Sequence, residues 1–182
     1  MPGLGDPNAS LLVIGLAPAA HGGNRTGRVF TGDISGDFLY SALHDHGFAN
    51  KPISLNRDDG LELLDCYVTA AVRCAPPGNR PTPQEFDHCR NYLVRELALL
   101  QSVTVVVALG QLAFRSYLTA RRELGQPLPS PLPSFGHSAV YNLRDGPTLI
   151  ASYHPSQQNT NTGRLTQEMF HSVFTKAREY IG

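Results

Sequence analysis

The sequence lacks the features that would place it in a membrane or outside the cell. No apolar run among its 182 residues reaches the roughly 18–20 residues that a membrane helix requires. No basic segment followed by an apolar stretch predicts a secretory signal at its start. The three cysteines are an odd number, which argues against a secreted scaffold held by disulfides. We therefore expect a soluble, cytoplasmic protein with no membrane partner, monomeric and folded as one domain over residues 1–182.

Motifs for phosphate cofactors and an excess of positive charge are also missing. The chain contains no GxGxxG, GKS or GKT sequence, so a nucleotide cofactor has little support. Its 15 basic and 15 acidic residues give a net charge of zero, whereas proteins that bind nucleic acid by bulk attraction are usually basic. Thirteen of the basic residues are arginines, whose guanidinium groups suit bidentate phosphate contacts. Any DNA-binding surface must therefore be local.

Four short apolar segments predict a buried parallel sheet. They show no polar–apolar alternation, and turn residues bound each of them. These segments are Leu11–Leu16, Cys66–Val72, Val103–Leu109 and Thr148–Tyr153. Helical patterns occupy the intervals, at Ser35–His46, Pro83–Leu100, Gly110–Leu124 and Leu165–Ile181. The alternation predicts an α/β fold: a three-layer αβα sandwich around a mainly parallel, four-stranded central sheet.

Three of the predicted strands run into loops rich in Gly, Pro, Asn, Arg and His. These loops span Gly15–Phe30, Arg73–Arg80 and His154–Arg164, and ligands bind at this edge of open parallel sheets. The first loop contains no carboxylate before Phe30, which excludes a carboxylate base there. His154 is either an imidazole hydrogen-bonded to a loop carbonyl or a donor to an anion that develops in the crevice.

Other residues of these loops also have two interpretations. The sequence around Asn24 is that of a tight turn or of a polar group in the site. Phe30 is either a core residue or a platform on which a ligand stacks. Cys74 and Cys89 are either two free thiols or half of a four-cysteine metal site. Cys66 lies within a predicted strand, so we expect it to be a buried small hydrophobe.

Three long segments resemble the uracil-DNA glycosylase superfamily, and most closely its type-5, or B-type, branch. They read GLAPAAHGGNRTGRVFTGD at Gly15–Asp33, YVTAAVRCAPPGNRPTPQEFDHCR at Tyr67–Arg90 and ASYHPSQQNTNTGR at Ala151–Arg164. The resemblance implies a DNA-repair hydrolase that flips a deaminated base, uracil or also hypoxanthine, out of DNA and cleaves its N-glycosidic bond. Two alternatives stay open: a catalytically weak or inactive DNA-binding member of the same fold, and an α/β protein that binds a small molecule.

The resemblance also implies roles for residues in the first and last segments. His154 matches the family's HPS-type motif and would donate a hydrogen bond to the leaving base. The backbone of Gly15, Leu16 and Ala17 would line the base pocket, and Phe30 would stack on the flipped base.

Two alanines stand where related branches have functional side chains. Ala17 replaces an acid or amide that positions water in other branches, so the resemblance transfers this catalytic role to Asn24. Residues at the same edge are further candidates: His21, Asp33 and Asn159, the last of which is also expected to bind substrate. Ala70 replaces an asparagine that reads the base, and this loss implies a substrate-binding pocket with relaxed selectivity.

DNA contacts and a [4Fe-4S] cluster are further implications of the resemblance. The candidate DNA-binding residues are Arg25, Arg28, Arg80, Ser156 and Arg164. Cys74 and Cys89 match the later pair of the family's four cluster ligands. No cysteine precedes the first predicted strand, so we expect iron to be substoichiometric or absent in this chain.

Overall fold

A six-stranded sheet forms the centre of the computed structural model, which describes all of residues 1–182. In chain order the strands are β1 (Leu4–Gly5), β2 (Leu11–Gly15), β3 (Cys66–Ala70), β4 (Val105–Leu109), β5 (Val140–Asn142) and β6 (Thr148–Ser152). Their spatial order is β1-β3-β2-β4-β6-β5. The four inner strands are parallel, which confirms the predicted arrangement.

The prediction of four strands missed the two edge strands. β1 has two residues and β5 has three, and both pair antiparallel with the parallel strand beside them. Neither is fully buried. Strands this short and this exposed do not produce the continuous apolar run on which the prediction depended.

The helices cover both faces of the sheet. They are α1 (Gly23–Thr26), α2 (Ile34–Asp45), α3 (Pro83–Leu99), α4 (Gln111–Glu123), α5 (Gln157–Asn161) and α6 (Gln167–Ile181). The four long ones lie where the sequence predicts helices, whereas the short α1 and α5 lie within predicted loops. None of them combines the length and apolar character that crossing a membrane requires.

The sheet separates two apolar cores. Side chains alternate along β2, so that Leu11 and Val13 belong to one core and Leu12 and Ile14 to the other, all with 0% exposure. The first core contains the buried faces of α2 and α6, and the second contains those of α3 and α4. This three-layer αβα sandwich is the fold class that the sequence predicts, and it leaves the loops at the strand ends to form a site.

The first turn of α3 is built as the sequence indicates. The Thr82 hydroxyl accepts a hydrogen bond from the Glu85 backbone N–H at 3.3 Å, and the Glu85 carboxylate accepts one from the Thr82 N–H at 2.7 Å. This reciprocal capping satisfies two N–H groups that the helix itself leaves free. It fixes the start of α3 directly after the loop that follows β3.

Candidate active site

A cavity of about 620 Å³ opens at the carboxyl edge of the sheet. The loop after β2 contributes Leu16 and Ala17, and the loop after β6 contributes His154. The start of α2 contributes Asp33, and the turn after β3 contributes Asn79. The three loops that the sequence singled out therefore meet at one cavity.

Phe30 forms one wall of this cavity and has an unusual backbone conformation. Its φ is +51°, a left-handed value that costs a bulky residue about 1–3 kcal/mol and persists only where the surroundings hold it. Its ring lies against Gly15, where a Cβ atom would collide with the ring. A Cβ atom at Gly36 in α2 would likewise collide with the Phe30 carbonyl oxygen. Two glycines thus provide the space in which Phe30 sits, and only 8% of the residue is exposed.

His154 faces the cavity from the end of β6. Its ring centroid lies 6.1 Å from that of Phe30, with 30° between the ring planes. Burial lowers the pKa of His154 from 6.5 to about 4, so the imidazole is neutral at neutral pH. Burial is the cause, and no hydrogen bond to the ring contributes. The interpretation of His154 as an imidazole bonded to a loop carbonyl is therefore wrong, and its ring N–H is free to meet a ligand.

The backbone around His154 is held by its neighbours. The Asn159 side-chain amide donates to the His154 carbonyl oxygen at 2.9 Å. Gly110, with a φ of +92°, lets the end of β4 approach the His154 Cβ, because a side chain there would begin only 3.3 Å away. One N–H of the Asn159 amide thus holds the His154 backbone, and Asn159 also lines a second cavity beside His154.

Asp33 is the one acidic side chain that lines the cavity. One of its carboxylate oxygens accepts a hydrogen bond from the Gly36 backbone N–H at 2.9 Å, which caps α2. Its other oxygen lies beside Gly22, where a Cβ atom would not fit. The sequence placed Asp33 behind Asn24 as a candidate, because the linear order does not show that α2 turns its amino end into the site.

Asn24 does not line this cavity. Its residue is exposed on α1 and borders a separate surface cavity of about 430 Å³, together with Arg73 and Cys74. The position of Asn24 therefore argues against the expectation that it positions the water, because its side chain lies outside the cavity that His154 lines. Asn79, which the sequence analysis did not single out, does line the site from a left-handed turn with φ +56°.

Ala70 and Ser156 occupy supporting positions. Ala70 ends β3 as the register partner of Gly15 and is 8% exposed. The Ser156 hydroxyl lines the cavity and accepts a hydrogen bond from the Asn159 backbone N–H at 3.3 Å, which caps the short α5. Neither residue adds a charge to the site.

A second cavity of about 430 Å³ shares His154 and Leu16 with the first. Tyr153 and Arg164 line it, and the Arg164 guanidinium carbon lies 4.8 Å above the centre of the Tyr153 ring. This contact orients Arg164 while leaving the residue exposed. A basic side chain and the imidazole therefore line the same cavity, and basic side chains of this kind contact phosphate groups of DNA.

The predicted DNA-binding arginines divide into two groups. Arg25, Arg80 and Arg164 are exposed, and none of them forms an ion pair. Arg28 is different, because only 6% of it is exposed and its Nη2 lies 2.6 Å from the Asp59 carboxylate. The structure therefore argues against the expectation that Arg28 contacts DNA, because its charge is paired inside the protein.

The cysteines do not assemble a metal site. Cys74 is exposed, whereas Cys89 is buried in α3 and its sulfur lies 3.4 Å from the Arg73 backbone nitrogen. Cys66 is buried in β3, and burial raises the pKa of its thiol well above the usual range. No group of three or more His, Cys, Asp or Glu side chains surrounds a single point. The residues present thus do not fit a four-thiolate cluster.

Comparisons with known proteins identify the family to which this fold belongs. A family model described as the uracil DNA glycosylase superfamily matches residues 2–178. The chain belongs to this superfamily. It is 52% identical over 184 residues to the type-5 uracil-DNA glycosylase of Thermus thermophilus, covering 100% of this chain and 80% of that protein. It is 48% identical over 183 residues to the type-5 uracil-DNA glycosylase of Mycobacterium tuberculosis, covering 100% and 67%. Identity to the type-4 uracil-DNA glycosylase of Thermotoga maritima is 25% over 181 residues, covering 98% and 81%.

Proposed function

We propose that this chain is a DNA-repair glycosylase of type 5, which hydrolyses the N-glycosidic bond of uracil flipped out of DNA. One observation carries the proposal: a neutral His154 faces Phe30 across a cavity in a chain that is 52% identical to a type-5 uracil-DNA glycosylase. The relatives named above are bacterial, and chromosomal DNA in the cytoplasm is the substrate expected for such an enzyme.

The cavity supplies the binding site for the base. Its volume of about 620 Å³ lies within the usual range of small-ligand pockets. Taking a base out of the stack costs a few kcal/mol, and stacking on an aromatic ring returns about 1–3 kcal/mol per base. Phe30 is the aromatic ring that lines the cavity, so it provides this contact.

His154 stabilises the leaving base. As the glycosidic bond breaks, its electron pair moves onto the base, which departs as an anion while the sugar becomes an oxocarbenium ion. A neutral imidazole still carries one ring N–H, which donates a hydrogen bond to this growing charge. The pKa of about 4 keeps His154 in this form throughout the physiological range.

Asp33 holds the attacking water. Its carboxylate is the one negative charge lining the cavity, and a carboxylate both accepts a hydrogen bond from water and stabilises a nearby cationic sugar. Its link to the α2 amino end fixes its orientation. Asn79 adds an amide at the same cavity.

The small side chains of the site favour broad base selectivity. Ala17 lines the cavity, and Ala70 lies beside Gly15. Neither can donate or accept a side-chain hydrogen bond that would reject a wrong base. We include hypoxanthine among the proposed substrates for this reason.

The experiment that tests the function compares excision with binding. A uracil-containing oligonucleotide is incubated with the protein and then treated with alkali, which breaks the strand at each abasic site. Breaks that depend on uracil support the glycosylase. Binding without breaks points instead to an inactive DNA-binding member of the fold, and the absence of both points to a small-molecule-binding protein.

A further inference from the structure

A buried ion pair outside the cavity anchors both sides of Phe30. The Arg28 Nη2 lies 2.6 Å from the Asp59 carboxylate and donates a second hydrogen bond to the Ser54 hydroxyl at 2.6 Å. The Arg28 Nε donates to the Thr31 hydroxyl at 3.2 Å. The Thr31 and Ser54 hydroxyls are also 2.6 Å apart. The residues on either side of Phe30 are thus attached to one distant loop.

Asp59 organises that loop. Its carboxylate accepts backbone hydrogen bonds from Leu55 at 2.7 Å and from Leu61 at 2.9 Å. Although burial raises the pKa of Asp59, the hydrogen bonds from Arg28 and from these backbone groups outweigh it and hold the pKa well below its usual range. The carboxylate is therefore charged, and both of its oxygens accept hydrogen bonds from protein groups. Neither Asp59 nor Arg28 lines the cavity.

We propose that Asp59, acting through Arg28, is a positioning residue that holds Phe30 against Gly15 and thereby sets the affinity of the cavity for a flipped base. This inference rests on the proposed function. The left-handed backbone of Phe30 persists only where neighbours over-determine it. Without Asp59 the Arg28 cation is buried without a counter-charge, so the segment relaxes and the ring moves out of stacking position.

Two oligonucleotide probes separate base recognition from general DNA binding. One carries a non-hydrolysable 2′-fluoro-deoxyuridine, and the other carries a tetrahydrofuran abasic analogue at the same place. The Kd for the abasic probe divided by the Kd for the fluorinated deoxyuridine probe measures what the base contributes to affinity. Asp59→Asn is expected to reduce this ratio about tenfold, as the loss of one stacking contact would, and to leave abasic binding unchanged. In single-turnover excision the half-saturating enzyme concentration rises more than the maximal rate falls.

Asp58→Asn is the matched control. Asp58 is the neighbouring acid in the same loop; it is exposed and forms no ion pair. Its replacement changes the loop charge by the same amount and is expected to leave the Kd ratio at the wild-type value. Arg28→Lys keeps the positive charge but loses the guanidinium fork, and we expect it to give an intermediate ratio.

A double-mutant cycle tests whether Asp59 acts through Phe30. If it does, Asp59→Asn adds little to the loss caused by Phe30→Ala, whereas independent effects add in full. Should Asp59→Asn fail to fold, Ser54→Ala takes its place, because it removes the hydroxyl between Arg28 and Thr31 and keeps the ion pair. It is expected to lower the ratio by a smaller factor.

Each outcome bears on the inference. An unchanged ratio in the folded Asp59 or Ser54 variant, or full additivity with Phe30→Ala, overturns the positioning role while leaving the proposed function intact. A wild-type chain that excises no uracil overturns the proposed function, and this inference with it. A lowered ratio, a normal Asp58→Asn and a non-additive cycle together support it.

Discussion

The two ends of the central sheet hold cavities of similar size but different chemistry. The carboxyl-end cavity measures about 620 Å³ and is lined by Asp33 and His154. The amino-end cavity measures about 550 Å³ and is lined by Tyr117 and Arg121. The His154 ring nitrogens form no hydrogen bond with the protein, whereas Arg121 is 1% exposed and donates to main-chain carbonyl oxygens. The two cavities therefore do not differ much in volume. They differ in whether a lining polar group is left without a protein partner and can bind a ligand.

The largest effect expected at the carboxyl end is that of His154→Ala. Removing one donor to a developing anion commonly costs about 10²–10³ in rate. Single-turnover excision of uracil measures this loss, and the Kd for DNA should change little because the donor acts in the transition state. Unchanged excision would remove His154 from the mechanism and with it the chemical distinction between the two ends.

A pH-dependent stability difference is the second expected effect. Burial lowers the pKa of His154 from 6.5 in the unfolded chain to about 4. Between these values the unfolded chain takes up a proton that the folded chain refuses, so the free energy of unfolding falls as the pH falls. At about 1.36 kcal/mol per pKa unit this amounts to at most about 3–4 kcal/mol.

Thermal unfolding of wild type and His154→Gln at neutral pH and at pH 4 measures this difference. The wild-type Tm should fall further than that of the variant. Burial also lowers the pKa of His137, but this residue is present in both chains and cancels in the comparison. Equal losses of Tm would show that His154 takes up its proton as an exposed histidine does.

Only part of this contrast could be predicted from the sequence. Features set by residues close together in the chain were predictable, whereas contacts between residues far apart in the chain were not. Local apolar runs predict the parallel strands, and the end of one of them places His154 at the edge of the site. Its role as a donor to the leaving base comes only from the family resemblance. Arg28 was assigned to the surface because its partner Asp59 lies 31 residues away, and no local pattern indicates such a pair. Asn24 likewise lies outside the cavity because of the orientation of α1, which no local sequence pattern indicates.

The arginines at the carboxyl end should give a moderate, salt-dependent effect. Arg80 and Arg164 are exposed and unpaired. Each one that contacts a phosphate contributes about 0.9 to the slope of log affinity against log salt on duplex DNA. Replacing either by Gln should reduce the measured slope by about that amount. Arg144→Gln is the control, since this arginine is 87% exposed at the amino end and should leave the slope unchanged.

The smallest effect on excision is expected from Arg121→Met at the amino end. The Arg121 Nη2 donates to the carbonyl oxygens of Pro127 and Arg144 at 3.3 and 3.5 Å, so it joins two loops. Its Nε is buried and has no partner, and removing that unsatisfied group offsets part of the lost bonding.

We therefore expect a loss of no more than about 1–3 kcal/mol in the free energy of unfolding, measured by urea denaturation, with uracil excision at the wild-type rate. Arg122→Met, at the exposed neighbouring position, should change neither. Slower excision by folded Arg121→Met would mean that the two ends of the sheet are coupled, and the contrast between a site that holds the fold and a site that performs chemistry would fail.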